Sequence, residues 1–447
     1  ILNSFYYFSS SFVSIFKPIG FFASFFVSAF CLKFYKKDSA KKIIIVEGYM
    51  DALSLQKNGI FNAVASLGTA LTENQAKLIK DDLIKYRRTI HSNPEVGQEL
   101  PKTKAYVIDR LKEMGYEPEE ICESGIVATI SGNKEGKVFL LRADMDALPM
   151  QEATECNFKS NNGCMHSCGH DMHTAMLLGA AKLLKQNQDK IEGTIKLVFQ
   201  PDEEGFTGAK KMIEAGVLEN PKVDAAMAMH VNSGTPSNLV LCGLGPIIAG
   251  CNRFRIVVRG SGCHGAMPEL GVDPINIAAH IYISLQEIIS REISATQSAV
   301  VTIGKFVGGE APNIIPSEVV MEGTIRSLNK EIGEFIFNRI NDIVTSTAKM
   351  FRGEAELIEL SSVPPLTNDK ELAQELIGYM QEVVGERGVY AFSGEGGMGS
   401  EDFACYSYEV PSVYIVLGAG AKNENPAYGE PMHNSKVVFN EDILPIG

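Results

Sequence analysis

The sequence predicts a layered α/β catalytic domain with a mixed sheet, interrupted by a smaller α+β insert of βαββαβ order, ferredoxin-like in outline. Three observations predict it. Apolar, β-rich runs alternate with helical periodicities from residue 83 to about 240. Between about 250 and 357 the pattern changes to strand, helix, two strands, helix, strand. The segment VPPLTND then breaks the chain, and a further helix returns it to the first pattern. A chain of 447 residues is long enough for two or three domains with a substantial core.

The first part carries an amphipathic helix over 101–114, strands near 126–131 and 137–142, a helix over 172–186, a strand over 194–200 and a helix over 207–215. The insert opens with FRIVVRG and continues with a helix over about 274–291 and the strand pair SAVVTIGKFVG and SEVVMEGTIRS. A helix over 330–349 and a strand near 355–360 close it, and a helix over 369–384 rejoins the first domain.

Two ligand-rich clusters, HSCGHDMH at 166–173 and FQPDEEG at 199–205, carry the chemistry. Cys168 and His170 are two positions apart and would face different sides of a helix. Both are therefore expected in the loop that leads into HTAMLLGAAKLL, where one ion can meet both. Pro201 stops the strand TIKLVFQ, which places Glu203 and Glu204 just past its carboxyl end, the edge where open α/β sheets bind ligands. Of two adjacent acids, one can hold a divalent cation while the other takes a proton from water. An isolated DEE string is more often a solvated acidic turn; the thiol and imidazoles upstream favour a site.

Further candidates end other apolar runs. Asp144 and Asp146 follow VFLL in RADMDALP, and Asp146 is the one suited to orienting a ligand histidine. An ordinary acidic strand-to-loop turn is the plain alternative. His230 ends AAMAMHV and His433 lies in PMHNSKVVF; singly each reads equally as a core or surface histidine.

Taken together, these motifs resemble the amidohydrolase branch of the dinuclear-metal aminoacylase and carboxypeptidase superfamily, which includes hippurate hydrolases, N-acetyldiaminopimelate deacetylases and plant auxin-conjugate hydrolases. The resemblance runs through YRRTIHSNPEVGQEL, LRADMDALPMQE, MHSCGHDMHTAMLLGAAKLL, VFQPDEEGFTGAKKMIEAGVL, GCHGAMPELGVDPI, GGEAPNIIPSEVVMEGTIRS, GSEDFACYS and PMHNSKVVFNEDI, in unbroken order from about residue 80 to the end. It implies that Cys168, His170, Glu204, His230 and His433 hold two divalent ions (Zn, Mn or Co), with Cys168 near the bridging position. Glu203 is implied as general base and Asp146 as an orienting group of the active site. His264 matches a histidine that reaches the neighbouring subunit's site, and Asn313 and Arg326 match positions that contact the substrate's carboxylate or carbonyl. The implied reaction is cleavage of the amide bond of an N-acyl-amino acid, in a homodimer joined through the insert. The layout is then 81–249 with 358–447 for the catalytic domain and 250–357 for the insert.

The beginning of the chain has a different character. Residues 43–80 resemble the start of the metal-binding topoisomerase-primase (TOPRIM) domain of bacterial replicative primase, with Glu47 of VEGYMD at the acidic position. That domain's later acidic pair has no counterpart before the hydrolase pattern begins, so this segment is expected to be a non-functional half-module. Residues 1–42 are aromatic and serine-rich, and Lys17-Pro18 divides them into apolar pieces too short to span a bilayer comfortably, with a membrane anchor the alternative reading. They have no assigned role, and the expectation is a chimeric or misassembled reading frame, in keeping with ILPIG standing where the family continues into a last helix.

Composition narrows the function classes. A formal net charge of −13 opposes nucleic-acid binding, which needs a basic face. Nine cysteines without framework spacing fit a reducing cytoplasm. A small-molecule substrate, no nucleic acid and no membrane are the expected partners. Two other readings stay open: a primase-derived nucleic-acid-binding chimera, and a catalytically silent metal-binding dimer.

Overall fold

A strand at the centre of a parallel sheet must be covered on both faces, and the strands that lead to Asp144 and Gln200 are buried on both faces toward their carboxyl ends. The computed structural model describes residues 73–447 apart from Glu395. The segment 1–42 and Glu47 lie outside the described residues. The first described element, α1 (Glu73–His91), runs across the expected boundary near residue 80 without a break. Leu83, Tyr86 and Ile90, spaced at three and four, are buried along one side of it.

The helix α2 (Pro101–Glu113) begins on a proline, which suits its first turn, and buries Thr103, Val107 and Leu111 at intervals of four. Then come β1 (Glu119–Ile121), β2 (Gly125–Ser131) and β3 (Lys134–Asp144). After a long loop, α3 (His170–Gln186), β4 (Glu192–Gln200), α4 (Gly208–Glu214), β5 (Ala225–Asn232) and β6 (Val240–Ile248) complete the first half. Later segments supply β13 (Leu366–Asn368), α7 (Lys370–Val384), β14 (Val389–Ser393), α8 (Ala404–Ser407) and β15 (Ser412–Gly418).

These strands form one nine-stranded mixed sheet in the order β1-β2-β4-β3-β5-β15-β6-β13, with β14 paired to β6. Its centre, β4-β3-β5-β15, is parallel. Parallel pairing brings the carboxyl ends to one edge: Asp144 lies opposite Gln200, and Val416 opposite His230. The residues just past the end of each strand therefore meet those just past its neighbours.

The insert uses β7 (Gly250–Arg259), a short β8 (Cys263–His264), α5 (Pro274–Glu287), β9 (Ala299–Gly308), a short β10 (Ile314–Ile315), β11 (Glu318–Ser327), α6 (Lys330–Met350) and β12 (Glu354–Val363). Its four long strands pair antiparallel in the order β12-β7-β11-β9. Ile277, Ile281 and Leu285 of α5 and Ile336, Ile340 and Val344 of α6 pack with Phe254, Ile256 and Val258 of β7 in a core of their own. β8 and β10 form a separate two-stranded ribbon.

Two details differ from the sequence pattern. The helix expected to reach 291 ends at Glu287 and gives way to a π-helical turn over Ile288–Glu292. β12 continues past its expected end near 360, and past the expected boundary at 357, to Val363, because it pairs along β7 as far as Cys251. Among the described residues no helix is long and apolar enough to cross a membrane.

Candidate metal centre

Gly169 sets the geometry of the first cluster. It takes φ 86°, and a Cβ there would come within 2.4 Å of Val231 Cγ2, so only glycine fits the turn. Cys168 therefore lies in the loop as expected, while His170 is already the first residue of α3. The left-handed turn between them brings both to the same side.

The other donors arrive from the same sheet edge. Cys168 Sγ stands 3.4 Å from His230 Nε2 and 3.3 Å from His433 Nε2. His433 Nε2 lies 3.1 Å from Glu204 Oε1, and His170 Nε2 lies 3.9 Å from Glu203 Oε2. Cys168, His170 and His230 each offer a donor atom within 4.8 Å of the others, and so do Cys168, Glu204 and His433. Cys168 is common to both groups. Asp202, Phe206 and His433, in the loops that present these donors, have positive φ (55°, 60° and 62°), a conformation non-glycine residues adopt only when surroundings enforce it.

The imidazoles are oriented from behind. His170 Nδ1 donates to the Asp146 carbonyl oxygen at 2.9 Å, which leaves Nε2 to face the cluster. That Nε2 is buried and has no hydrogen-bond partner. His230 likewise donates through Nδ1 to the Val231 carbonyl at 2.6 Å. A buried, unpartnered imidazole nitrogen beside a thiol, two further imidazoles and a carboxylate is the donor set a borderline divalent ion requires, so these residues fit a metal pair.

Asp146 works through its side chain on the acidic loop. Its two carboxylate oxygens accept the backbone N–H groups of Glu203 at 3.0 Å and of Glu204 at 3.1 Å. The turn that carries both glutamates is thereby pinned to the end of β3. Burial, and then the nearby Glu401 and Glu204 carboxylates, hold the Glu203 carboxyl well above its ordinary range. Burial pushes the Cys168 thiol up as well, although His170 opposes this.

Sequence reasoning missed a second ring of groups. Arg142 is buried and reaches Asp144 at 2.6 Å, Asp402 at 2.8 Å and Glu401 at 3.0 Å. Glu203, Glu401 and Asp402 bring carboxylate oxygens within 4.8 Å of one another. Gln200 and the Ala209 N–H also bind Asp402, and the Tyr414 hydroxyl donates to Glu401 at 2.8 Å. His173 accepts from Val231 N at 2.8 Å through Nε2, so its Nδ1–H is the donor to Asp144 at 2.6 Å. The signal was present in the DMD spacing, the last histidine of HSCGHDMH and the acid pair of GSEDF, but no residue pattern says which acids point inward.

The three expected substrate contacts are not gathered with this cluster. His264 is exposed on β8 opposite Ile314, and the Asn313 carbonyl accepts from Gly265 N at 2.8 Å, so these two adjoin each other instead. Arg326, half-buried at the end of β11, donates to the Met398 carbonyl at 2.8 Å and to Ser400 Oγ at 3.0 Å.

Behind the metal-facing loop lies a buried polar network. His91 of α1 meets Asp171 Oδ2 at 2.9 Å and Glu152 Oε1 at 3.2 Å, and Arg87 meets Asp171 at 3.0 Å. Burial works against a charged His91, yet the Asp171 and Glu152 carboxylates raise its pKa from 6.5 to about 9. Burial likewise works against a charged Glu152, but His91, the Thr154 hydroxyl and the Ser160 N–H together outweigh this and lower its pKa to about 2.

Comparison with known proteins agrees with this architecture. The chain belongs to Peptidase family M20/M25/M40, whose family model matches residues 140–447. A Toprim domain model matches residues 41–147, and Asp144 and Asp146 fall in both matched ranges. Thermostable carboxypeptidase 2 of Saccharolobus solfataricus is 39% identical over 84% of this chain and 95% of its own length. IAA-amino acid hydrolase ILR1-like 4 of Arabidopsis thaliana is 37% identical over 88% of this chain and 89% of its own. The crystal structure of the Bacillus subtilis YXEP protein, described as a dinuclear metal binding peptidase from the M20 family, superposes with a TM-score of 0.68 at 31% identity, covering 83% of this chain and 95% of that one. The chain is thus a member of a metal-dependent amidohydrolase family.

The His91 network predicts a pH signature. A pKa raised in the folded state gives stability that is whole below 6.5 and is lost as pH rises through about 9. Wild type should exceed His91→Gln by on the order of 3 kcal/mol at pH 6 in urea unfolding, with the gap closing toward pH 10. A gap unchanged between those pH values would contradict a charged His91.

Proposed function

We propose that the chain hydrolyses the amide bond of N-acyl-amino acids, with Cys168, His170, Glu204, His230 and His433 holding two divalent ions and Glu203 acting as general base. The observation that carries this reading is the sharing of Cys168 by two donor groups, with His170 and His230 in one and Glu204 and His433 in the other, while Glu203 groups with His170 and Glu204 but not with the thiol and is pinned beside them by Asp146. Bound there, the ions would polarise the scissile carbonyl and lower the pKa of water. Glu203 accepts the proton at its carboxylate and returns it to the departing amine. The Glu401 and Asp402 carboxylates, both paired with Arg142, bring oxygens within 4.8 Å of the Glu203 carboxylate. The name of the Arabidopsis relative, an amino acid conjugate hydrolase, supports an acylated amino acid as substrate. The name of the Saccharolobus relative favours a second reading, removal of a C-terminal residue from a peptide, which is the same bond chemistry on a longer acyl group.

His264 belongs to none of the donor groups and Asn313 adjoins it on the short ribbon, and we read both as serving the site of a second copy. The exposed Val300, Phe306 and Val307 of the edge strand β9, with Tyr282 and Ile283 of α5, offer an apolar face for that pairing.

Two outcomes are expected. Against a panel of N-acetyl- and N-benzoyl-amino acids and dipeptides, chelation should abolish turnover and zinc, manganese or cobalt should restore it. Glu203→Gln should lower kcat by about 10²–10⁴ while the bound metal measured by atomic absorption stays the same; full activity in that variant rules out the assigned base. Glu203→Gln and His264→Ala, each inactive alone, should regain activity when co-expressed, since a mixed dimer holds one intact site. No regain would place His264 outside the partner's site.

A further inference from the structure

The loop carrying Glu203 and Glu204 is held from two directions. From β3, Asp146 accepts the N–H groups of both residues, at 3.0 and 3.1 Å. From the insert, Arg253 of β7 donates through Nη2 to the Glu204 carbonyl at 3.2 Å. Its guanidinium also lies over the Phe206 ring, with Cζ 4.2 Å from the centroid. Phe206 packs in turn with Cys251 and Val363, close to where the chain enters and leaves the small sheet. Asp202 and Phe206, on either side of the two glutamates, both have positive φ, so the loop keeps its shape only while its contacts hold it.

The neighbouring strand repeats the arrangement. Arg326 lies opposite Cys251 on β11 and donates to Met398 and Ser400, just ahead of Glu401 and Asp402. The insert thus reaches the Glu203–Glu204 loop and the loop ahead of Glu401 and Asp402 with one arginine each. A charged donor makes a hydrogen bond roughly twice as strong as a neutral one, and the planar guanidinium can stack and donate at once, which lysine cannot reproduce.

We propose that Arg253 is a positioning residue that ties the orientation of the insert to the Glu203–Glu204 turn, so that Glu204 holds its metal-binding position only while the insert is docked against that turn. The proposal rests on the reading of Glu204 as a metal ligand. Arg253 binds the Glu204 carbonyl rather than its carboxylate, and so acts on the peptide that carries the ligand. Supports of this kind typically change metal affinity by about 10–100-fold.

The test titrates zinc into the chelator-treated full-length chain by calorimetry and records thermal unfolding with and without zinc. Arg253→Met keeps the stem on Phe206 and removes the donor. It should bind zinc roughly tenfold more weakly while the metal-free unfolding temperature stays at the wild-type value, and Arg253→Lys should recover part of the loss. Zinc affinity equal to wild type in Arg253→Met overturns the proposal, as does a loss of affinity matched by lower metal-free stability. Should Arg253→Met not fold, Phe206→Leu, which leaves the guanidinium unstacked, should weaken zinc several-fold, and an unchanged affinity there overturns it equally. Glu204→Gln separates the two levels: if it binds zinc like wild type, the ligand assignment itself fails.

Discussion

Asp144, Asp146, Glu203, Glu401 and Asp402 are all buried at one sheet edge, with Glu204 beside them and one buried guanidinium, Arg142, among them. Burying carboxylates together is costly unless protons or cations offset them. Arg142 offsets part through Asp144, Glu401 and Asp402, and Asp146 is engaged by two backbone N–H groups. Glu203 and Glu204 remain, facing three imidazoles and a thiol. Without a cation, burial and its acidic neighbours push the Glu203 carboxyl well up. A bound cation pair removes that conflict, and the strained backbone at Asp202, Phe206 and His433 is the local cost of aiming the donors at one place.

The parallel centre of the sheet makes this concentration possible. Because β3, β4, β5 and β15 run the same way, RADMD, QPDEEG and HVN meet at their carboxyl ends without any one of them being long. Gly169 then turns the Cys168 loop into α3, close against Val231. The insert lies beyond this edge, and Arg253 and Arg326 carry its contacts to the two acidic loops.

Much of this was legible in the sequence because the donors sit at the ends of apolar runs, where strand period and turn chemistry agree. Cys168, His170, Glu203, Glu204, His230 and His433 do converge, and the helices over 101–114 and 330–349 lie within a residue of their expected ends. The second ring was not legible. Arg142 looks like any strand-end cation, and Glu401 and Asp402 come some 200 residues after Gln200, which binds one of them. Only the closed fold shows that they share a compartment with Glu203. Arg253 was equally hidden, since its partners are a backbone carbonyl and a ring on another strand's loop. Periodicity also cannot see a helix such as α1 crossing a change of composition near residue 80.

Anomalous X-ray diffraction from crystals grown with zinc or manganese tests the central claim most directly. Two peaks about 3.5–4 Å apart, with Cys168 Sγ between them, His170 and His230 on one and Glu204 and His433 on the other, are the predicted result. No metal peak beside Cys168, or a single ion bound by the Glu203, Glu401 and Asp402 carboxylates instead, would contradict it.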